Sequence, residues 1–332
     1  MRSSGWFIAF AVACVAGAAV YVALAAGDDG SRAAVLPRQQ AVRTDAASTP
    51  LDPSLRLAVR AVDAKNPRAP GVVSVVEPAD PSARRDRHLR CERVYEAGGH
   101  GLCLSIDASG VEYRVQFLDA AMRPRSSIAL TGVPSRARVS GDGRYGSVTT
   151  FTTGDSYTAP GQFSTRTWLL DMNRGRMIAD LERSTVVKDG RVIDAPDFNF
   201  WGVTFSHRDS DRFWATLGTG SHHYLVQGRV RSRRVQVIAD AVECPSVSPD
   251  DRRIAFKQPL GHGRWRLSVL ELATMRRHVL AETRSIDDQQ EWVDDAHVAY
   301  SDGEDVWAVQ SDGGGRPQLL VQGAQSPVAL SG

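Results

Sequence analysis

The sequence predicts an all-β protein, a six-bladed β-propeller of four-stranded blades preceded by one N-terminal transmembrane helix. Three observations lead there. Beyond residue 55, short β-rich runs separated by Gly, Asp, Asn and Ser recur at nearly even spacing, while helical periodicity is scarce. Residues 5–26 carry no charge. The 277 residues that follow residue 55 divide into six units of about 46, close to the spacing of the runs themselves.

At the N-terminus, the run from Gly5 to Ala26 is 22 residues long, and about 20 suffice to cross the hydrocarbon core. Arg2 precedes it and Asp28 and Asp29 follow, which places residues 1–4 in the cytoplasm and the rest outside. Ala23-Leu24-Ala25 matches a signal-peptide cleavage pattern, so secretion is the alternative; the run exceeds the usual signal core and favours an uncleaved anchor. A lipoprotein reading through Cys14 is weaker, because that cysteine lies inside the apolar run. The expected location is therefore the cell membrane, single-pass, with the body extracytoplasmic. Residues 27–55 mix Gly, Ser, Pro, Ala and isolated charges without sustained periodicity and read as a tether.

The composition of 42% hydrophobic and 23% charged residues describes an ordinary folded chain. Forty Lys+Arg against 38 Asp+Glu is too even for a protein whose main partner is a nucleic-acid backbone. Beyond the membrane segment there are three cysteines. Cys91 and Cys103 flank two extended stretches around Gly98-Gly99, a spacing that would set them across a hairpin, where an oxidising compartment allows a disulfide. Cys244 reads as a buried apolar thiol.

The repeats begin at Val94, Arg138, Val203, Pro245 and Trp292, each a short apolar strand, a polar turn and a second strand. Successive first strands end 43, 66, 42 and 46 residues apart; the long interval holds an insertion. Third and fourth strands follow, such as TRTWLLDM with RMIADLE and WRLSVLEL with RRHVLAE. Four strands per 40 to 50 residues is the propeller-blade pattern. Five blades lie between Cys91 and Gly323, and a sixth combines C-terminal QSPVALSG with N-terminal LRLAVRAVD and GVVSVVE, so that both chain ends pair and no sheet edge is left open. Residues 56–332 thus form one domain. Tryptophans 168, 201, 214, 265, 292 and 307 recur at matching strand positions and read as packing between blades.

Within these repeats, Ser246-Val247-Ser248-Pro249-Asp250-Asp251-Arg252-Arg253-Ile254-Ala255-Phe256 resembles the WS-PDG-R-IAF signature of the TolB-like six-bladed propeller repeat, related to WD-type repeats. Asp251 stands where that signature has Gly, whereas Gly141-Asp142-Gly143-Arg144 keeps the Asp-Gly-Arg core. The resemblance covers about residues 88–323. It implies a periplasmic protein that binds partners in envelope assembly. The expected anchor and the absence of an evident N-terminal α/β domain depart from that family, so its Tol-Pal role does not carry over.

The longest loops, 152–164, 182–200, 218–223, 258–264 and 283–290, all fall between second and third strands or between blades, and hence on one face. Insertions gathered on one face mark a binding face. Tyr157, Asp197, Phe198, Asn199, His222, His223, His262, Asp287 and Asp288 are the candidate ligand-binding residues there. No metal is expected: adjacent His222 and His223 point to opposite sides of an extended chain. Asp287, Asp288, Glu291, Asp294 and Asp295 lack a D-x-D-x-D-G loop and read as a solvated acidic surface. No G-x-S-x-G elbow and no P-loop occur, and no cofactor is implied. The expectation is a non-catalytic protein presenting one loop-rich propeller face to an envelope protein or peptide. A hydrolase with an active site assembled in the propeller channel is the alternative.

Overall fold

The structure is a computed structural model that describes residues 49–62, 71–107, 109–153 and 164–330. The expected membrane segment and Tyr157 lie outside the described residues, among which no helix is long and apolar enough to cross a membrane.

The strands assemble six sheets in a ring. β1 (Leu57–Ala61), β2 (Gly71–Glu77) and β3 (Asp80–Cys91) open the chain. Blade 1 follows as β4 (Arg93–Ala97), β5 (His100–Ile106), β6 (Tyr113–Leu118) and β7 (Pro124–Leu130). Blade 2 is β8 (Val133–Val139), β9 (Tyr145–Thr153), β10 (Ser164–Asp171) and β11 (Arg176–Asp180). After a hairpin of β12 (Thr185–Lys188) and β13 (Arg191–Ile193), blade 3 comprises β14 (Asn199–Phe205), β15 (Arg212–Thr219), β16 (His222–Arg229) and β17 (Arg234–Asp240). Blade 4 is β18 (Glu243–Val247), β19 (Arg253–Gly261), β20 (Arg264–Glu271) and β21 (Arg277–Val279). Blade 5 is β22 (Glu291–Trp292), β23 (His297–Ser301), β24 (Val306–Gln310) and β25 (Gln318–Val321). The last strand, β26 (Ala324–Ala329), pairs antiparallel with β1 and completes blade 6 in the order β26-β1-β2-β3. The first strands β26, β4, β8, β14, β18 and β22 neighbour one another in cyclic order and line the axis. The ring therefore closes with one strand from the C-terminus and three from the N-terminus, as the repeat arithmetic predicts.

Burial follows from this arrangement. A middle strand has a neighbouring blade on each side, so both of its faces are covered; β15 is buried from Phe213 to Gly218, and β5 from Gly101 to Ser105. Outer strands such as β7 keep one side in water. The core is consequently divided into wedges, one per blade interface. Tyr145 and Leu169 of blade 2 pack with Phe200, Phe213 and Leu217 of blade 3, and Trp214 and Leu225 of blade 3 with Phe256 of blade 4. Trp201, Trp214, Trp265 and Trp292 are buried in or beside such wedges, while Trp168 and Trp307 are partly buried against them.

Three details differ from the sequence reading. The Cys91–Cys103 disulfide joins β3 of blade 6 to β5 of blade 1, with Cα atoms 5.4 Å apart, and does not cross one hairpin, because within the β4–β5 hairpin it is Val94 that stands opposite Cys103. Part of the 182–200 segment is not a loop: β12 lies parallel to β17 and extends blade 3 to six strands at its outer edge. Residues 49–55, read as tether, are laid against blades 5 and 6. Leu55 is buried with Leu57 and Ala299, and the Thr49 carbonyl accepts hydrogen bonds from His297 Nε2 (3.0 Å) and Gln310 Nε2 (3.3 Å).

Candidate functional site

The turns between first and second strands form the rim of one face. In blade 2, Ser140 Oγ donates to Asp142 (2.7 Å), which accepts the Arg144 N–H (3.0 Å), and Ser140 Oγ accepts the Tyr145 N–H (3.0 Å). Blade 4 repeats this geometry with Ser248, Asp250, Arg252 and Arg253. The Ser-x-Asp pair thus supplies the turn with the acceptors that its exposed N–H groups need. The next position is left-handed in both copies: Gly143 has φ 70° and Asp251 φ 57°. Gly143 packs backbone-to-backbone on Gly98, where a Cβ would stand 2.4 Å from the Gly98 carbonyl oxygen. Asp251 instead uses its side chain: it accepts from Ser206 Oγ (2.5 Å) and from the N–H groups of His207 (2.9 Å) and Arg208 (3.2 Å), tying blade 4 to blade 3.

Inside this rim the channel opens as a funnel of about 540 Å³. Gly98, Gly141, His207, Pro249 and Val293 surround its mouth, and Tyr95, Glu291 and Trp292 reach its floor. The floor is a buried polar knot. Arg138 donates to the Glu291 carboxylate and to the Gln290 carbonyl and lies over the Tyr95 ring at 4.6 Å. The Tyr95 hydroxyl donates to Glu291 (3.1 Å). Burial pushes the Tyr95 phenol up, and the neighbouring carboxylate adds to the shift, so Tyr95 is a neutral donor at the funnel floor. On the wall, the Glu96 side chain makes no hydrogen bond or ion pair among the described residues, and burial raises its carboxyl.

The opposite end of the channel is closed by the chain itself. β22 has only two residues, and the segment before it crosses the axis. Gln289 donates to the carbonyls of Val203 (3.1 Å) in β14 and Pro245 (2.9 Å) in β18. Asp288 faces Arg93 (3.5 Å) and accepts the Ser301 N–H (3.1 Å). Asp287 contacts Lys257 and lies 3.8 Å from Arg136. Lys257 is wholly buried, 3.7 Å from Glu243, which in turn pairs with His223 Nδ1 (2.7 Å). Burial opposes charge on Lys257, yet Asp287 holds it above the ordinary lysine range, and Lys257 holds the partly exposed Asp287 below the ordinary carboxylate range.

Of the nine residues the sequence singles out, Asp287, Asp288 and His223 join this seal. Of the others that are described, Asp197, Phe198, Asn199 and His222 belong to one end of blade 3 and His262 to blade 4. Asp197 accepts from Thr219 Oγ1 (2.7 Å) and the Gly220 N–H (2.6 Å), and Asn199 accepts the Thr165 N–H (2.7 Å). Phe198 packs edge-on to Phe200, His222 stacks on Tyr224, and His262 is exposed at the tip of the β19–β20 turn with φ 54°. The acidic run is a solvated surface only in part: Asp287 and Asp295 are exposed, whereas Asp288 and Glu291 are buried beside arginines and Asp294 pairs with His297. Tyr95, Arg138 and Glu291 carry no motif that marks them together; the available signal is that each lies on a first strand. Among the described residues there is no group of His, Cys, Asp and Glu arranged to hold a metal ion, and no hydroxyl or thiol donates to a histidine.

No protein-family profile matches this chain, and no curated protein matches it. Among solved structures it is similar to TolB from Acinetobacter baumannii, at 13% identity and a TM-score of 0.59 over 84% of this chain and 67% of that one. A structure assigned as TolB from Agrobacterium tumefaciens aligns at 13% identity, covering 82% and 92%, with a TM-score of 0.45. A puromycin-hydrolyzing peptidase from Mycobacterium tuberculosis aligns at 12% identity, covering 76% and 42%, with a TM-score of 0.42. At these identities the likeness is one of fold, and the neighbours include both TolB proteins and peptidases.

Proposed function

We propose that this chain is a non-catalytic binding protein of the cell envelope, anchored through residues 5–26 with its propeller extracytoplasmic, and that it receives a protein or peptide partner in the funnel of the turn-lined face. The carrying observation is the asymmetry of the channel: one end opens as a cavity of about 540 Å³, while Gln289 and the Lys257–Asp287 pair fill the other. A concave, partly apolar mouth with a few fixed polar groups is the form of a recognition site. The binding face is thus assigned to the short turns and not to the loop-rich face that the insertions favour. A hydrolase in the channel would need a nucleophile beside a base. Here three carboxylates along the channel are each engaged by a cation, Asp287 by Lys257, Asp288 by Arg93 and Glu291 by Arg138, as suits a structural floor.

The test is site-specific photo-crosslinking in native membranes, with the reactive group at His207 on the funnel rim or at His262 on the other face. A discrete adduct from position 207, absent from 262, is the expected result. Adducts from 262 alone would move the partner to the loop-rich face. Turnover of ester or peptide substrates that is lost in Glu291→Gln, in a variant that keeps its fold, would replace the binding reading by the enzymatic one.

A further inference from the structure

We propose that a second cavity, the cleft between blades 2 and 3, is a binding site for a multivalent oxyanion of the pyrophosphate type. The cleft measures about 430 Å³, within the range of small-molecule sites. Three turns build it: Arg144 comes from the β8–β9 turn, Arg174 from the β10–β11 turn, and Arg231 and Arg233 from the β16–β17 turn. Against these four guanidinium groups stands one lining carboxylate, Asp171, and it is committed to Arg174 at 2.9 Å. Arg231 Nε donates to the Tyr145 hydroxyl (3.3 Å), which leaves the phenol proton free to point at a ligand. Asp211 accepts the Arg231 backbone N–H (3.2 Å), but it stands 4.0 Å from the Arg231 guanidinium and serves that of Arg229 at 3.1 Å. Neither Arg144 nor Arg233 forms a salt bridge among the described residues.

Two features favour a built site over scattered surface charge. Arg233 holds a left-handed conformation, φ 50°, which is uncommon for a residue with a side chain. Its carbonyl accepts the Thr185 N–H (3.0 Å), so the inserted β12–β13 hairpin braces the turn that carries it. Planar guanidinium forks from three turns around one cleft match the several oxygens of a phosphate-type anion, and only one carboxylate lines the cleft with them.

Calorimetric titration of the purified protein with pyrophosphate, at fixed ionic strength and with chloride as reference, tests this. Saturable one-to-one binding is expected. Arg233→Gly keeps the left-handed turn and removes the guanidinium, and Arg144→Gln removes the second unpaired cation; each is expected to weaken binding at least tenfold without lowering the melting temperature. Arg316→Gln, in a distant turn of blade 5, is expected to leave it unchanged. Absence of saturation, or equal affinity in all three variants, overturns the proposal. Binding to phosphatidic-acid vesicles without binding to pyrophosphate also overturns it and makes the cleft a membrane-facing surface.

Discussion

Position 251 shows how a departure from a repeat signature acquires a structural reason. The turn requires a left-handed residue, and the signature's glycine meets that need without strain. This chain places Asp251 there, and three donors of blade 3 converge on its carboxylate. Replacing it with the signature residue therefore sets two effects against each other. Asp251→Gly relieves about 1 kcal/mol of left-handed strain and removes hydrogen bonds to a charged acceptor worth about 1.5–3 kcal/mol. The bridge wins, so the variant is expected to lose about 1 kcal/mol or somewhat more in chemical denaturation. A more stable variant would show that the inter-blade bridge contributes nothing. The substitution was visible in the sequence, but its partners were not, since Ser206, His207 and Arg208 lie some forty residues earlier. The same gap hid the axial knot: Glu291 meets Arg138 from 153 residues away, and proximity of that kind leaves no local periodicity.

At the scale of elements, the strands were legible because each blade repeats alternation and turn chemistry within its own 40 to 50 residues. What strands do at blade edges was not, because it depends on a neighbour. The 182–200 insertion becomes an extra hairpin on β17, and residues 49–55 become a strap over blades 5 and 6. The strap is held by a titratable clasp. Both ring nitrogens of buried His297 face acceptors, Nδ1 the Asp294 carboxylate at 2.9 Å and Nε2 the Thr49 carbonyl at 3.0 Å, so only the imidazolium can donate to both. The bond to Asp294 raises the His297 pKa against the opposing effect of burial, with Asp294 and Asp312 adding negative charge nearby. A raised folded-state value makes this contribution complete below the unfolded histidine value of about 6.5 and lost as pH rises through the folded one. Hydrogen exchange at residues 50–55 is expected to accelerate relative to the rest of the domain as pH rises above about 6.5, after correction for intrinsic rates. In His297→Gln that pH dependence is expected to vanish; its persistence would assign the release to another group.

For the whole molecule, a propeller has no central core, and its stability is shared among blade interfaces, each with its own wedge of apolar side chains. The wedges are unequal. Those between blades 2 and 3 and between 3 and 4 hold several large aromatics, whereas blades 6 and 1 meet through Val73, Leu89, Cys91, Val94, Cys103, Leu118 and Met122, with no aromatic ring. That interface also joins the composite blade 6, assembled from both chain ends, to the next blade. The disulfide lies in this wedge, which like the one between blades 5 and 6 has no aromatic ring, and links β3 to β5. Closing a loop of this length restricts the unfolded chain by about 3 kcal/mol. Cys91→Ser together with Cys103→Ser is expected to lose about that much in equilibrium denaturation, and a reductant should bring the parent protein to the same value while leaving the double variant unmoved. The loss should be local at first: trypsin sites in β3, with its run of arginines from Arg84 to Arg90, should open before those of blades 2 to 4. Uniform cleavage around the ring would mean that the closure interface is no weaker than the others and that the disulfide stabilises the ring as a whole.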